Sequence, residues 1–216
     1  MDTPSAIIDG MGNTSSRQGD IVRDSYSARS REYVDLFGSM ASTHPSDRDL
    51  VSSWAATLTG PVLDAGCGPG QWAGFLAECG LAVKGIDLVA EFVERARVQR
   101  PDLLFEVGSI DALDATTESL GGVLSWYSLI HHSPQDIQTP LAEFARVIRP
   151  GGGLLVGFFE GATVEAFDHA VTTAYRWPVA DLGQELVRAG FEVIETRTRM
   201  DRRPLGAITA RRKSTL

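Results

Sequence analysis

The amino-acid sequence predicts an α/β protein built on one mostly parallel sheet with helices on both faces. Three observations predict it. From residue 61 onward, apolar runs of strand length alternate with amphipathic helical segments. The first of these runs, PVLDAG, opens into a turn that carries Gly66, Gly68 and Gly70. The chain then closes on two extended segments, FEVIETRTR and GAITARR, joined only by MDRRPL. Strands joined through helices lie parallel with right-handed crossovers, and strands joined by a short turn lie antiparallel.

Taken in order, residues 1 to about 22 are polar and rich in Gly and Ser without an apolar stripe, and are expected to form a mobile arm able to fold over a ligand. DSYSARSREYVDLFG places Tyr26, Tyr33, Val34 and Phe37 near helical spacing. In SDRDLVSSWAATLTGP, Ser46 and Asp49 fit a capping box, Leu50, Trp54 and Leu58 form a stripe, and Gly60-Pro61 stops the helix. These segments make residues 1–60 an N-terminal arm and helical cap, and residues 61–216 the sheet domain. Within that domain PVLDAG is the first strand. QWAGFLAECG is a helix with Trp72, Phe75, Leu76 and Cys79 on its inner face. AVKGID, LLFEVG, GVLSWYSL and LLVGFF are the next four strands. VAEFVERARVQR is a helix ended by Pro101, and PQDIQTPLAEFARVIRPGGG a helix carrying Leu141, Phe144 and Ile148. VADLGQELVRAG precedes the closing hairpin.

Composition removes several classes of function. The 216 residues, 43% of them hydrophobic, suffice for a single domain with a real core. Net charge is −8 and the one dense basic cluster is the terminal ARRKSTL, which argues against a nucleic-acid footprint. No apolar run approaches the ~20 residues that cross a bilayer, and the N-terminus lacks a basic stretch followed by an apolar block. Cys67 and Cys79 make neither a disulfide framework nor a zinc site, so no metal is expected and the cytoplasm is the expected compartment.

The glycine turn asks for a nucleotide. In the dinucleotide fingerprint G-x-G-x-x-G/A the third small residue would fall on Gln71, and no Gly-Lys-Ser/Thr of a phosphate loop follows. The pattern is instead D-x-G-x-G-x-G. Asp87, 17 positions past Gly70, closes the second strand, where a carboxylate accepts hydrogen bonds from both ribose hydroxyls.

With these residues in place, the chain resembles the class I S-adenosylmethionine-dependent methyltransferases over roughly residues 24–212. VLDAGCGPG looks like the family's first motif, VKGIDL its second, VGSIDAL the segment after the third strand, VLSWYSLIHHSP the fourth-strand motif and FARVIRPGGGLLVGFF the fifth. The resemblance implies a Rossmann-like seven-stranded sheet in the order 3-2-1-4-5-7-6 with strand seven antiparallel, and S-adenosyl-L-methionine as cofactor. It implies that Asp64, Gly66, Cys67, Gly68 and Gly70 line the methionine and ribose portions. Asp87 would bind the ribose hydroxyls, Leu88 would lie against adenine, and Ile110 would support the base. Ser109 stands where the family often has an acidic residue, and Ser125 and Trp126 would face the methionine amine and the sulfonium. Two departures are the Gly121-Gly122 pair in place of an acidic residue opening strand four, and Ser125-Trp126-Tyr127-Ser128 in place of the Asp/Asn-Pro-Pro-Tyr signature of amino-group methylases.

The resemblance implies methyl transfer to a small-molecule acceptor. A cofactor-binding protein without catalysis and, more remotely, an NAD-dependent oxidoreductase remain as alternatives. His131 and His132 are adjacent and cannot chelate one metal together. The wall facing the cofactor is expected from Tyr26, Tyr33, Trp126, Tyr127, His131, Phe158, Phe159, His169, Tyr175 and Trp177, with Tyr127 and His131 the candidates for orienting or deprotonating the acceptor.

Overall fold

The structure, a computed structural model, describes residues 12–214. Its strands are β1 (Val62–Ala65), β2 (Val83–Asp87), β3 (Leu104–Val107), β4 (Leu120–Trp126), β5 (Ile148–Glu160), β6 (Glu165–Phe167), β7 (Ala174–Trp177), β8 (Phe191–Met200) and β9 (Pro204–Arg212). The helices are α1 (Gly12–Ala28), α2 (Ser30–Phe37), α3 (Pro45–Ala55), α4 (Gln71–Glu78), α5 (Ala90–Gln99), α6 (Gln138–Val147) and α7 (Val179–Arg188).

Strands β3, β2, β1, β4 and β5 lie side by side and parallel. On the outer side of β5 runs β9, antiparallel, and β8 pairs with β9 at the edge. This is the expected seven-strand order, with β8 and β9 as its sixth and seventh members. Side chains alternate across the sheet as strand geometry requires. Leu154, Val156 and Phe158 of β5 pack with Leu141 and Phe144 of α6 and Leu182 and Leu186 of α7 on one face. Leu155 points the other way, into a cluster with Trp54 of α3 and Trp72 and Leu76 of α4. A third cluster seats α5 beside α4 through Val93, Ala96, Ala73 and Phe105.

Two strands were not expected. Phe159 has Leu205 of β9 on one side and Arg176 of β7 on the other. β4 stops at Trp126, so β7 takes up its edge of β5 and prolongs the sheet past the carboxyl end of β4, with β6 antiparallel beside it. These strands are too short to carry a readable alternation, and YRWP at 175–178 is largely β7.

Several local expectations are corrected. Within the segment expected to be a mobile arm, residues 12–22 belong to α1, while 1–11 lie outside the described residues. α1 carries no stripe to read, because aromatic contacts of Tyr26 dock it rather than a periodic apolar face. The Phe37 side chain also lies outside the description. α3 begins at Pro45, with His44 and not Ser46 as its cap; the His44 ring accepts from the Ser46 N–H at 3.2 Å. Pro45 explains the shift, since a proline fits the first helical position, whose N–H needs no partner. Cys79 caps α4 and is exposed, not part of the inner face. Ile148 is buried as the first residue of β5 and not the last of α6, because Pro150 cannot continue a helix. The Gly121-Gly122 pair has a packing cause. A Cβ on Gly121 would overlap the Thr59 carbonyl, and one on Gly122 would come within 2.8 Å of Leu58. The segment after α3 thus lies against β4 where a side chain would hold it off.

Candidate active site

The carboxyl ends of β1, β2 and β4 open into one crevice. In parallel sheets of this kind ligands bind at those ends, where the strand order reverses, here between β1 and β4. Gly66, Gly68, Asp87, Leu88, Ser109, Ile110 and Trp126 line it, with Tyr26 from α1, Tyr33 from α2, and Tyr127 and His131 after β4. Asp64, Cys67, Gly70 and Ser125 lie behind this lining.

The glycine turn shows why its three glycines are not equivalent. All have positive φ: +78° at Gly66, +52° at Gly68 and +89° at Gly70. A Cβ on Gly66 would overlap the Ser128 side chain. One on Gly70 would meet Ala96 at 2.9 Å and the Phe105 ring at 3.0 Å, so this glycine serves the seating of α4 on α5 and β3. Only at Gly68 does the position face open space, with the Tyr33 ring 3.9 Å away. Cys67 is buried with Phe105, and its thiol is pushed up by burial, then by Asp64 and Asp87.

Asp87 is held by the backbone on both oxygens. The Gly68 N–H donates to Oδ2 at 2.8 Å, and the Val89 N–H to Oδ1 at 2.9 Å. Each carboxylate oxygen keeps a lone pair for a further donor. Burial pushes this carboxyl up to about 6, against the N–H donors that favour its ionised form. Asp64, inside β1, is 1% exposed, and its Oδ2 has no hydrogen-bond partner among the described residues. Burial raises it to about 7; the Ala73 N–H lowers it, and Asp87 adds repulsion. Ser125 is fully buried and shares a 2.7 Å hydrogen bond with Ser128.

On the base side, Ser109 Oγ accepts from the Asp111 N–H at 3.1 Å. Asp111 itself lines the crevice and accepts from His132 Nε2 at 2.8 Å. Sequence reasoning missed it, looking for an acid at position 109; the acid stands two residues on. Gln18, Gly19 and Val22 of α1, Phe92 of α5 and Asp136 also reach the crevice unforeseen.

Opposite lies an arc of rings. Tyr26 meets His131 at 5.5 Å, His131 meets His169 at 5.7 Å, His169 meets Phe159 at 5.6 Å and Phe159 meets Tyr127 at 5.2 Å. Tyr127 then stands edge-on to Trp126 at 5.6 Å. Phe158 and Trp177, expected on this wall, are core residues, 2% and 4% exposed. The alternation of β5 gives Phe159 to the arc and Phe158 to the far face. Tyr127 has φ +60°, an uncommon backbone conformation for a side chain of that size, fixed by its N–H donating to the Gly157 carbonyl at 2.9 Å.

His131 is 6% exposed and fully bonded. Its Nδ1 lies 2.7 Å from the Thr173 carbonyl and its Nε2 3.0 Å from Tyr26 Oη. A carbonyl only accepts, so Nδ1 carries the hydrogen and Nε2 accepts from the Tyr26 hydroxyl. Burial brings His131 down to about 4, and His169 and His132 add to the shift while the Thr173 carbonyl opposes it. The ring is therefore neutral at ordinary pH.

A Rossmann-like sheet, a glycine turn open at Gly68, and a backbone-anchored carboxylate closing β2 together form a crevice shaped for a nucleoside cofactor. Residues 62–152 match the methyltransferase domain family. The chain is 34% identical over 91 residues to malonyl-[acyl-carrier protein] O-methyltransferase of Salmonella typhimurium, covering 42% of this chain and 36% of that one. It is 32% identical over 126 residues to the S-adenosyl-L-methionine-dependent Diels-Alderase iccD of Talaromyces variabilis, covering 51% and 42%. The chain thus spans less than half the length of these two relatives. Among solved structures, the 1,6-didemethyltoxoflavin-N1-methyltransferase of Burkholderia thailandensis superposes with a TM-score of 0.73 at 21% identity, over 99% of this chain and 94% of that one.

Proposed function

We propose that this protein binds S-adenosyl-L-methionine in the crevice and transfers its methyl group to a small-molecule acceptor, at an oxygen, nitrogen or carbon atom. The observation that carries this reading is Asp87, whose carboxylate lines the crevice with its two oxygens fixed by the Gly68 and Val89 N–H groups. A ribose diol supplies the two donors that such a carboxylate lacks. The rest of the lining fits the same molecule. Leu88 and Ile110 offer apolar surface to a base, with Asp111 as an acceptor beside them. Gly68 leaves its backbone bare, and the unpartnered Oδ2 of Asp64 supplies a buried acceptor behind the turn.

The cofactor, when bound, supplies an electrophilic methyl carbon on a sulfonium. What this chain must add is alignment of the acceptor with that carbon and exclusion of water. α1 lines one side of the crevice, which serves exclusion, and the rings of Tyr26, Tyr33, Trp126 and Tyr127 offer stacking surface to a flat or apolar acceptor. The net charge of −8 disfavours a polyanionic acceptor.

Incubating the protein with methyl-labelled S-adenosylmethionine and pools of small molecules tests this. Label should move into a low-molecular-weight product. Label recovered only in nucleic acid or protein would overturn the acceptor class.

A second reading has one observation in its favour: the buried base His131 is tied at both nitrogens. On it, the chain holds the cofactor without consuming it while the ring-lined crevice folds a bound substrate for a cycloaddition; the Talaromyces variabilis relative is named an S-adenosyl-L-methionine-dependent Diels-Alderase. Substrate rearranged with no donor consumed would favour it.

A further inference from the structure

We infer that Tyr26 and His131 together take the proton of the methyl acceptor, so that the acceptor is a hydroxyl compound whose oxygen is deprotonated as it is methylated. The inference rests on the methyl-transfer reading. Its basis is the direction of one chain of hydrogen bonds. The Thr173 carbonyl can only accept, which puts the imidazole hydrogen on Nδ1 and turns the lone pair of Nε2 to Tyr26. The Tyr26 hydroxyl hydrogen is thereby committed to His131, and its oxygen presents only lone pairs elsewhere. Tyr26 and His131 both line the crevice. An acceptor's O–H can donate to Tyr26 there.

The chain of bonds is assembled from three separate segments: α1, the loop after β4, and the residue before β7. Its geometry is held by rings that do nothing else for it. Tyr26 stands edge-on to Tyr33 at 5.5 Å and to Phe92 at 6.0 Å, and His169 flanks His131 at 5.7 Å. Arg29 ties the far end, donating to the Ala170 carbonyl three residues before Thr173.

In the step, the acceptor oxygen bonds to the methyl carbon as the carbon–sulfur bond breaks, and that electron pair stays on sulfur. The acceptor's proton passes to Tyr26 Oη while the hydroxyl proton of Tyr26 passes to His131 Nε2. The positive charge lost from sulfur reappears on the imidazole, whose Nδ1–H is already held by Thr173. Burial keeps His131 neutral and vacant beforehand. A weak base suffices because a hydroxyl becomes strongly acidic as its oxygen gains a methyl group. Neutral amines and carboxylates attack through an existing lone pair and need no such partner, which is why the pair points to a hydroxyl.

Tyr26→Phe keeps the ring and removes the hydroxyl; His131→Gln can still accept from Tyr26 but cannot hold the proton. With an acceptor found in the labelled pools, both variants should lose about a hundredfold or more in kcat, the range general-base catalysis supplies. Their KM and their affinity for S-adenosylhomocysteine should stay within threefold. Unchanged melting temperatures and ring contacts by NMR certify the fold. A hydroxyl product and the two losses support the pair. Variants within threefold of wild type in kcat, or a product methylated at nitrogen, sulfur or carbon, overturn it and leave methyl transfer standing. A wild type that binds the donor and labels nothing overturns both readings together.

Discussion

At Asp87, recognition and its pH dependence share one cause. Donors on a ribose favour the ionised carboxylate, while burial holds the free protein's group at about 6. A carboxyl raised in the fold gives stability that is complete below its unfolded value near 4 and lost as pH rises through about 6. Bound ribose hydroxyls relieve that loss. Cofactor affinity should therefore increase as pH rises through about 6 and level off above it, read by calorimetry across pH 5 to 8. Asp87→Asn should weaken binding by about ten- to a hundredfold at pH 8 and abolish the step, since a hydrogen bond to a charged group is worth ~1.5–3 kcal/mol. An unchanged affinity in the folded variant would remove Asp87 from the ribose. The neighbouring glycines separate packing from approach. Gly68→Ala adds a methyl group facing Tyr33 and open crevice, and should weaken binding with little more than ~1 kcal/mol lost in stability. Gly70→Val drives a branched side chain into Ala96 and Phe105 at positive φ, and should cost stability first, by ~1–3 kcal/mol or more in a denaturant titration. The spacing of the glycines marks the turn, but which of them faces a ligand depends on what α5 and β3 put behind it.

Elements were legible where their periodicity was long. The apolar runs of β1, β4 and β5 and the stripe of α6 stand clear in the sequence because the strands are buried along most of their length and α6 along one face. Phe144 of α6 is fully buried with Leu154 and Ile148, and Phe144→Ala should cost ~3–5 kcal/mol by denaturant titration. A loss under 1 kcal/mol would mean that α6 is not anchored as described. α1, β6 and β7 were not legible, for a common reason. None has an apolar repeat; each is placed by a few aromatic or backbone contacts with partners distant in sequence, such as Tyr26 with Phe92 and Tyr175 with the Ile130 carbonyl. Of the three, α1 reaches the crevice, through Gln18, Gly19, Val22 and Tyr26. α1 contributes nothing to the three buried clusters among the described residues. Removing residues 1–28 should accordingly leave the circular dichroism of the sheet intact and speed hydrogen exchange at the amides of 66–68. Global unfolding of the truncated chain would show that α1 is part of the core's support.

For the whole molecule, the division of labour follows chain direction. The stretch with clear motifs, β1 to β4, supplies much of the crevice lining, including Gly66, Gly68, Asp87, Leu88 and Trp126, which the sequence had singled out. The rest of the lining comes from α1, α2 and the loop after β4, through residues such as Tyr26, Tyr127 and His131, where the sequence carried aromatic residues without a pattern to assemble them. That asymmetry makes the cofactor the most direct test of the account. Calorimetric titration at pH 8 with S-adenosylmethionine and, in parallel, NAD should give one S-adenosylmethionine site per chain, weakened in Asp87→Asn, and no heat of binding from NAD. Saturable NAD binding with none for S-adenosylmethionine would contradict it.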